Sequence, residues 1–143
     1  MQCFGTSTIL NLLFAHKRFE ASSRAGKNPI TAVAFAEDIL KGGGGVDYGI
    51  LSIGTESGCI EIWAVPISSS SGDEVTTSPK LLCAIPANDS HFDTVKKISW
   101  RPSTYHADRL NEGLMHLTLA SCGQDNGVRM FKVTIRDLMV RIQ

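Results

Sequence analysis

Two stretches of the chain, Ile30 to Trp63 and Val95 to Phe131, can be laid over one another, and this internal repeat limits the possible folds before any single residue does. Ile30, Val33 and Phe35 fall on Val95, Ile98 and Trp100. Beyond a loop of unequal length, the run from Ser52 to Trp63 falls on the run from Ala120 to Phe131 without a gap. The second half of that match alternates, with Ile60 and Ile62 over Val128 and Met130, and Glu61 over Arg129 between them. A period of two predicts half-buried strands, the aliphatic residues inward and Glu61 and Arg129 outward. Gly58 and Asn126-Gly127 stand just before these strands, where a tight hairpin turn needs positive φ. Each copy is therefore expected to run from a short strand through a loop to a hairpin whose last strand ends in an aromatic.

The residues around these strands resemble the WD40 repeat. Ser90-His91-Phe92-Asp93-Thr94-Val95 is similar to its Gly-His element, with Ser for Gly, and Leu119-Ala120-Ser121, Asp125 and Phe131 are similar to its second strand, turn aspartate and closing Trp, with Phe for Trp. The first copy keeps Trp63 but has Ser57 at the aspartate position and Gly26 at the histidine position. The resemblance implies an all-β fold, a WD40 β-propeller fragment of about two blades plus part of a third. Its expected divisions are 1–29, the remnant of a preceding blade; 30–89, a blade with a mobile Ser-rich loop inserted at 67–79; and 90–143, a terminal blade and tail. Blades bury their faces against neighbours, so a chain of 143 residues is expected to be a piece of something longer, with the closing strand of its last blade absent.

The same resemblance implies that His91, Ser121 and Asp125 form a structural polar network, with Trp63 and Phe131 as the closing aromatics of the two blades. A Ser, a His and an Asp also invite a hydrolase reading, but no Gly-x-Ser-x-Gly elbow surrounds Ser121. Lys41 and the four glycines after it precede no Lys-Ser or Lys-Thr, so a simple turn is expected there and not a phosphate-binding loop. His16, His91, His106 and His116 show no ligand spacing with one another or with Cys3, Cys59, Cys83 and Cys122. No catalytic, cofactor or metal site is expected. The cysteines are too scattered for a Cys-x-x-Cys pair, and three fall in strand-like segments, which predicts buried free thiols and a reducing compartment. No apolar run is long enough for a membrane-spanning helix.

Charge is balanced over the whole chain and uneven along it. Residues 30–94 carry two basic and nine acidic side chains, whereas residues 95–143 carry eight basic and four acidic. The basic set, Lys96, Lys97, Arg101, Arg109, Arg129, Lys132, Arg136 and Arg141, is a candidate for weak RNA contact. It has no interleaved aromatics on which bases could stack, so a solvated face is the simpler reading.

The wording of the turns narrows the resemblance. Gly54-Thr55-Glu56-Ser57-Gly58 and the run from Ala120 to Asp125 are similar to the late blades of the WD40 subunits of Elongator complexes. That resemblance implies a non-catalytic scaffold, cytoplasmic or also nuclear. Its implied partners are the other Elongator subunits, a large scaffold and an acetyltransferase-like catalytic subunit, in a complex that modifies wobble uridines of tRNA. A generic WD40 adaptor in ubiquitin transfer or chromatin, and a small hydrolase using His91 and Ser121, are the alternatives.

Overall fold

The computed structural model describes residues 28–69, 78–102 and 116–134. They form seven strands, β1 (Ile30–Lys41), β2 (Val46–Thr55), β3 (Ile60–Ser69), β4 (Lys80–Ile85), β5 (Val95–Trp100), β6 (His116–Gly123) and β7 (Val128–Thr134). Strands β1 to β4 make one antiparallel sheet in chain order, and β5 to β7 make a second. The described residues contain no α-helix. This is part of a β-propeller, an all-β arrangement of two successive meander sheets that pack on one another through β1, β2 and β5.

The repeat is kept down to individual backbone hydrogen bonds. Thr55 N–H donates to Cys59 O at 3.1 Å, and Gly123 N–H to Gly127 O at 3.1 Å. Gly58 N–H donates to Thr55 O, and Asn126 N–H to Gly123 O, both at 3.2 Å. The positive φ expected in the turns falls on Gly58 and Asn126, at 91° and 59°. Both first strands also carry an irregularity one residue in, where Ile30 and Val95 pair with Thr55 and Gly123 before Ala32 and Lys97 pair with Gly54 and Cys122.

Several expectations are corrected. The first strand is long, because Ile39, Leu40 and Lys41 continue to pair with Gly49, Tyr48 and Asp47 beyond a second irregularity. Burial of Leu40 and Tyr48 holds that extension in place. The Gly43–Gly45 segment, a single 3-10 turn, then reverses the chain. The Ser-rich insertion starts later than Ile67, since β3 runs to Ser69 with Ser68 and Ser69 paired to Asp47 and Val46. Residues 70–77 of the expected mobile loop lie outside the described residues, as do Cys3, His16, Gly26, His106, Arg109, Arg136 and Arg141. Cys59, Cys83 and Cys122 are free, but half-buried and not fully enclosed.

The largest correction concerns the alternating strands. Ile60 and Ile62 are fully buried, while their repeat equivalents Val128 and Met130 are 70% and 73% exposed. Periodicity places these four residues on corresponding faces, but it says nothing about what lies across from a face. In the first sheet, Ile50, Ile60, Ile62 and Ala64 meet Ile98, Leu117 and Leu119 of the second and form the main core with them. The corresponding face of the second sheet has no such neighbour among the described residues.

Polar contacts fix the two sheets at one distance. Thr31 Oγ1 donates to Val95 O at 2.6 Å. Trp100 Nε1 donates to Ser52 Oγ at 3.0 Å, and Ser52 Oγ in turn donates to Ala34 O at 2.9 Å. Gly54 allows the approach, since a Cβ there would stand 2.5 Å from Val95 Cγ1. The unequal burial of equivalent residues gives a direct test by chemical denaturation. Ile62→Ala should cost about 2–5 kcal/mol through lost burial and a residual cavity, whereas Met130→Ala should stay within about 0.5 kcal/mol. Equal losses would show that the outer face of β7 is covered.

Candidate functional site

The chemistry-bearing residues meet where the turn before β5 crosses the end of β6. His91 is fully buried and Ser121, on the central strand of its sheet, is 3% exposed. The ring Nε2 is 2.8 Å from Ser121 Oγ, and Nδ1 is 2.9 Å from Asp125 Oδ1. Asp125 sits in the β6–β7 turn and accepts two backbone bonds as well, from Gly127 N–H at 2.9 Å on Oδ1 and from Phe92 N–H at 3.2 Å on Oδ2. The His91 hydrogen bond, followed by those from Gly127 and Phe92, holds the Asp125 carboxyl at about 2 against an ordinary 3.8, with burial opposing.

An ionised carboxylate only accepts, so the proton of the imidazole belongs on Nδ1. In the neutral ring Nε2 then accepts from the Ser121 hydroxyl, and every polar atom of the three side chains has a partner. Space around the ring is filled, because a Cβ on Gly123 would lie 2.5 Å from His91 Nδ1. The backbone of His91 belongs to the other repeat: its N–H donates to Gly58 O at 3.3 Å. A Cβ on Gly58 would strike His91 O, so this crossing is as tight as the one at Gly54. His91 thus joins the hairpin turn of the first sheet to the second strand of the second.

The order of atoms, carboxylate to imidazole to hydroxyl, is that of a serine hydrolase relay. Ser121 is enclosed, whereas acyl transfer needs an open approach to its Oγ and an oxyanion site beside it. The described residues hold no cluster of three ligands suited to a metal.

Trp63 and Phe131 are not brought into this group. Trp63 lies in the first sheet against Leu51, Ile53 and Val65, and its indole N–H donates to Glu61 Oε2 at 2.9 Å. Phe131 is half-buried against the main core, paired in register with Leu119. Lys96, Lys97, Arg101 and Lys132 are exposed and Arg129 half-buried.

Two residues escaped sequence reasoning. Asn28 does for the first turn what Asp125 does for the second: its Nδ2 donates to Ser57 Oγ at 2.8 Å and its Oδ1 accepts from Ser57 N–H at 3.1 Å. The signal available was its place two residues before β1, in register with Asp93. Trp100 was legible as a repeat aromatic, but not as the donor that links the sheets through Ser52.

No protein-family model matches the chain. A stretch of 106 residues is similar to Elongator complex protein 2 of Drosophila melanogaster, at 33% identity, covering 74% of this chain and 11% of that protein. The likeness supports a WD40-like relationship, and the chain spans only a small part of the relative's length.

The Asp125 value gives a pH prediction with a definite sign. A carboxyl whose folded-state pKa lies below 3.8 contributes its stabilisation fully above that value and loses it as pH falls through about 2. The difference in denaturation midpoint between the wild-type chain and Asp125→Asn should be constant near neutrality and shrink from about pH 4 towards pH 2. A difference independent of pH would show that the carboxylate charge contributes nothing.

Proposed function

We propose that the chain is a non-catalytic WD40 scaffold segment that acts in an Elongator-type assembly, supporting tRNA wobble-uridine modification by holding the complex together. The observation that carries this reading is the 33% identity to Elongator complex protein 2 over 106 residues. The buried His91–Ser121–Asp125 group fits the same reading as a structural network: it stabilises a turn and a strand, and offers no atom to a substrate. In this reading 30–89 and 90–143 are successive blades and 1–29 the remnant of a preceding one, with 1–27, 70–77, 103–115 and 135–143 outside the described residues. Protein partners are the expected ligands, and the exposed lysines of β5 and β7 are a lesser candidate for RNA contact. A cytoplasmic or also nuclear location goes with this role; no helix among the described residues is long and apolar enough to cross a membrane.

Affinity purification of the tagged chain from its native cells should recover the remaining Elongator subunits. Recovery of ubiquitin-ligase or chromatin proteins in their place would move the reading to another WD40 adaptor. Ser121→Ala provides the separate check on chemistry. It should lower stability by about 1–2 kcal/mol through the lost hydrogen bond, with neither form turning over a test ester. Ester hydrolysis by the wild-type chain that Ser121→Ala abolishes without loss of fold would overturn the non-catalytic reading.

A further inference from the structure

Phe92 is 76% exposed, more than any other large apolar side chain among the described residues. Mobility does not account for it, because the backbone on both sides is tied down. His91 N–H donates to Gly58 O at 3.3 Å, and Phe92 N–H itself donates to Asp125 Oδ2 at 3.2 Å. Thr94 N–H donates to Asp93 Oδ1 at 2.7 Å, and Thr94 O accepts from Gln124 N–H at 2.8 Å. The buried His91 ring immediately before it fixes the direction of the segment. An aromatic ring with two side-chain torsions on an immobilised backbone loses little entropy when it is covered, which is the property of an interface anchor.

The surroundings of Phe92 are acidic. Asp93 follows it, Asp89 stands three residues before it, and both are exposed. The Thr55–Cys59 turn, which carries exposed Glu56, lies against the same segment, since His91 N–H donates to Gly58 O and a Cβ on Gly58 would meet the carbonyl oxygens of His91 and Asp93. No salt bridge among the described residues neutralises Glu56, Asp89 or Asp93.

We infer that Phe92 is the anchor of a protein-docking surface whose partner is a peptide segment that combines apolar residues with Lys or Arg. The ring packs against the apolar residues, and the carboxylates of Glu56, Asp89 and Asp93 meet the basic side chains, which steers the encounter and sets its salt dependence. This inference stands on the turn geometry alone and does not depend on membership of an Elongator assembly.

The test uses a phage-displayed library of random peptides selected on the full chain, with the recovered peptides then synthesised and titrated. Enriched peptides should combine aliphatic or aromatic residues with Lys or Arg. Their binding should fall roughly tenfold or more in Phe92→Ala and weaken as salt is raised. Phe92 is exposed, so its replacement should leave the denaturation midpoint unchanged, which separates lost docking from lost fold. Glu56→Gln with Asp93→Asn should flatten the salt dependence, and Met130→Ala, exposed on a different face, should bind like the wild-type chain. The inference is overturned if no peptide is enriched, if the enriched set lacks basic residues, or if Phe92→Ala binds as the wild type does. It is equally overturned if Met130→Ala weakens binding as much as Phe92→Ala.

Discussion

A β-sheet with apolar residues on both faces cannot bury itself, and the rest of this structure follows from how that is resolved. Strand β2 shows the problem plainly: from Tyr48 to Thr55 every residue is buried, so both of its faces need cover. One face carries Leu51 and Ile53 and forms a small cluster with Val65, flanked by Val33, Phe35 and Trp63. The other carries Ile50 and, with Ile60 and Ile62 from β3, rests on the second sheet. At about 25 cal/mol per Å² of apolar surface removed from water, a few such Ile and Leu side chains outweigh any single polar contact in the molecule. The polar contacts set geometry: Thr31 to Val95 and Trp100 to Ser52 allow one relative placement of the sheets, at which the aliphatic faces meet.

The turns follow the same division between burial and direction. Both repeats need the β2–β3 and β6–β7 turns held against the segment that precedes the first strand, and each uses a different side chain. In the second repeat a carboxylate in the turn reaches back to a buried ring and to the Phe92 amide. In the first an amide before the strand reaches forward to Ser57. Loss of the turn carboxylate at Ser57 is thus matched by Asn28. Ser90 shows a local cost on the other side, since its hydroxyl oxygen is buried without a hydrogen-bond partner among the described residues.

Much of this was legible in the sequence because the repeat supplies two readings of each position. The strand–turn–strand units, the positive φ at Gly58 and Asn126 and the meeting of His91, Ser121 and Asp125 all have local or motif-level signals. What was not legible depends on partners across space. Val128 and Met130 alternate like Ile60 and Ile62, and no periodicity distinguishes a face with a neighbour from one without. The length of β1 was hidden by Glu37 and Asp38, which break the apolar pattern, although Leu40 beyond them is buried against Tyr48. The extension of β3 into Ser68 and Ser69 was masked by a composition that reads as loop, although pairing to Val46 and Asp47 draws both serines into the sheet.

The outer face of the second sheet is not simply a copy of the inner face of the first. The residues that lock the inner face, Thr31 and Ser52, are replaced at the equivalent positions by Lys96 and Ala120. Ala64, fully buried where the sheets meet, is replaced by exposed Lys132. A sheet placed on β5–β7 by the operation that relates the two repeats would lose the Thr31 donor and the Ser52 acceptor, and would have to accommodate the Lys132 ammonium at the apolar contact, a desolvation that needs an opposite charge. Val128 and Met130 still provide an aliphatic stripe along the same face. The repeat thus conserves the strand pairing and the turns, while the side chains that join one sheet to the next are specific to the contact between β1–β4 and β5–β7.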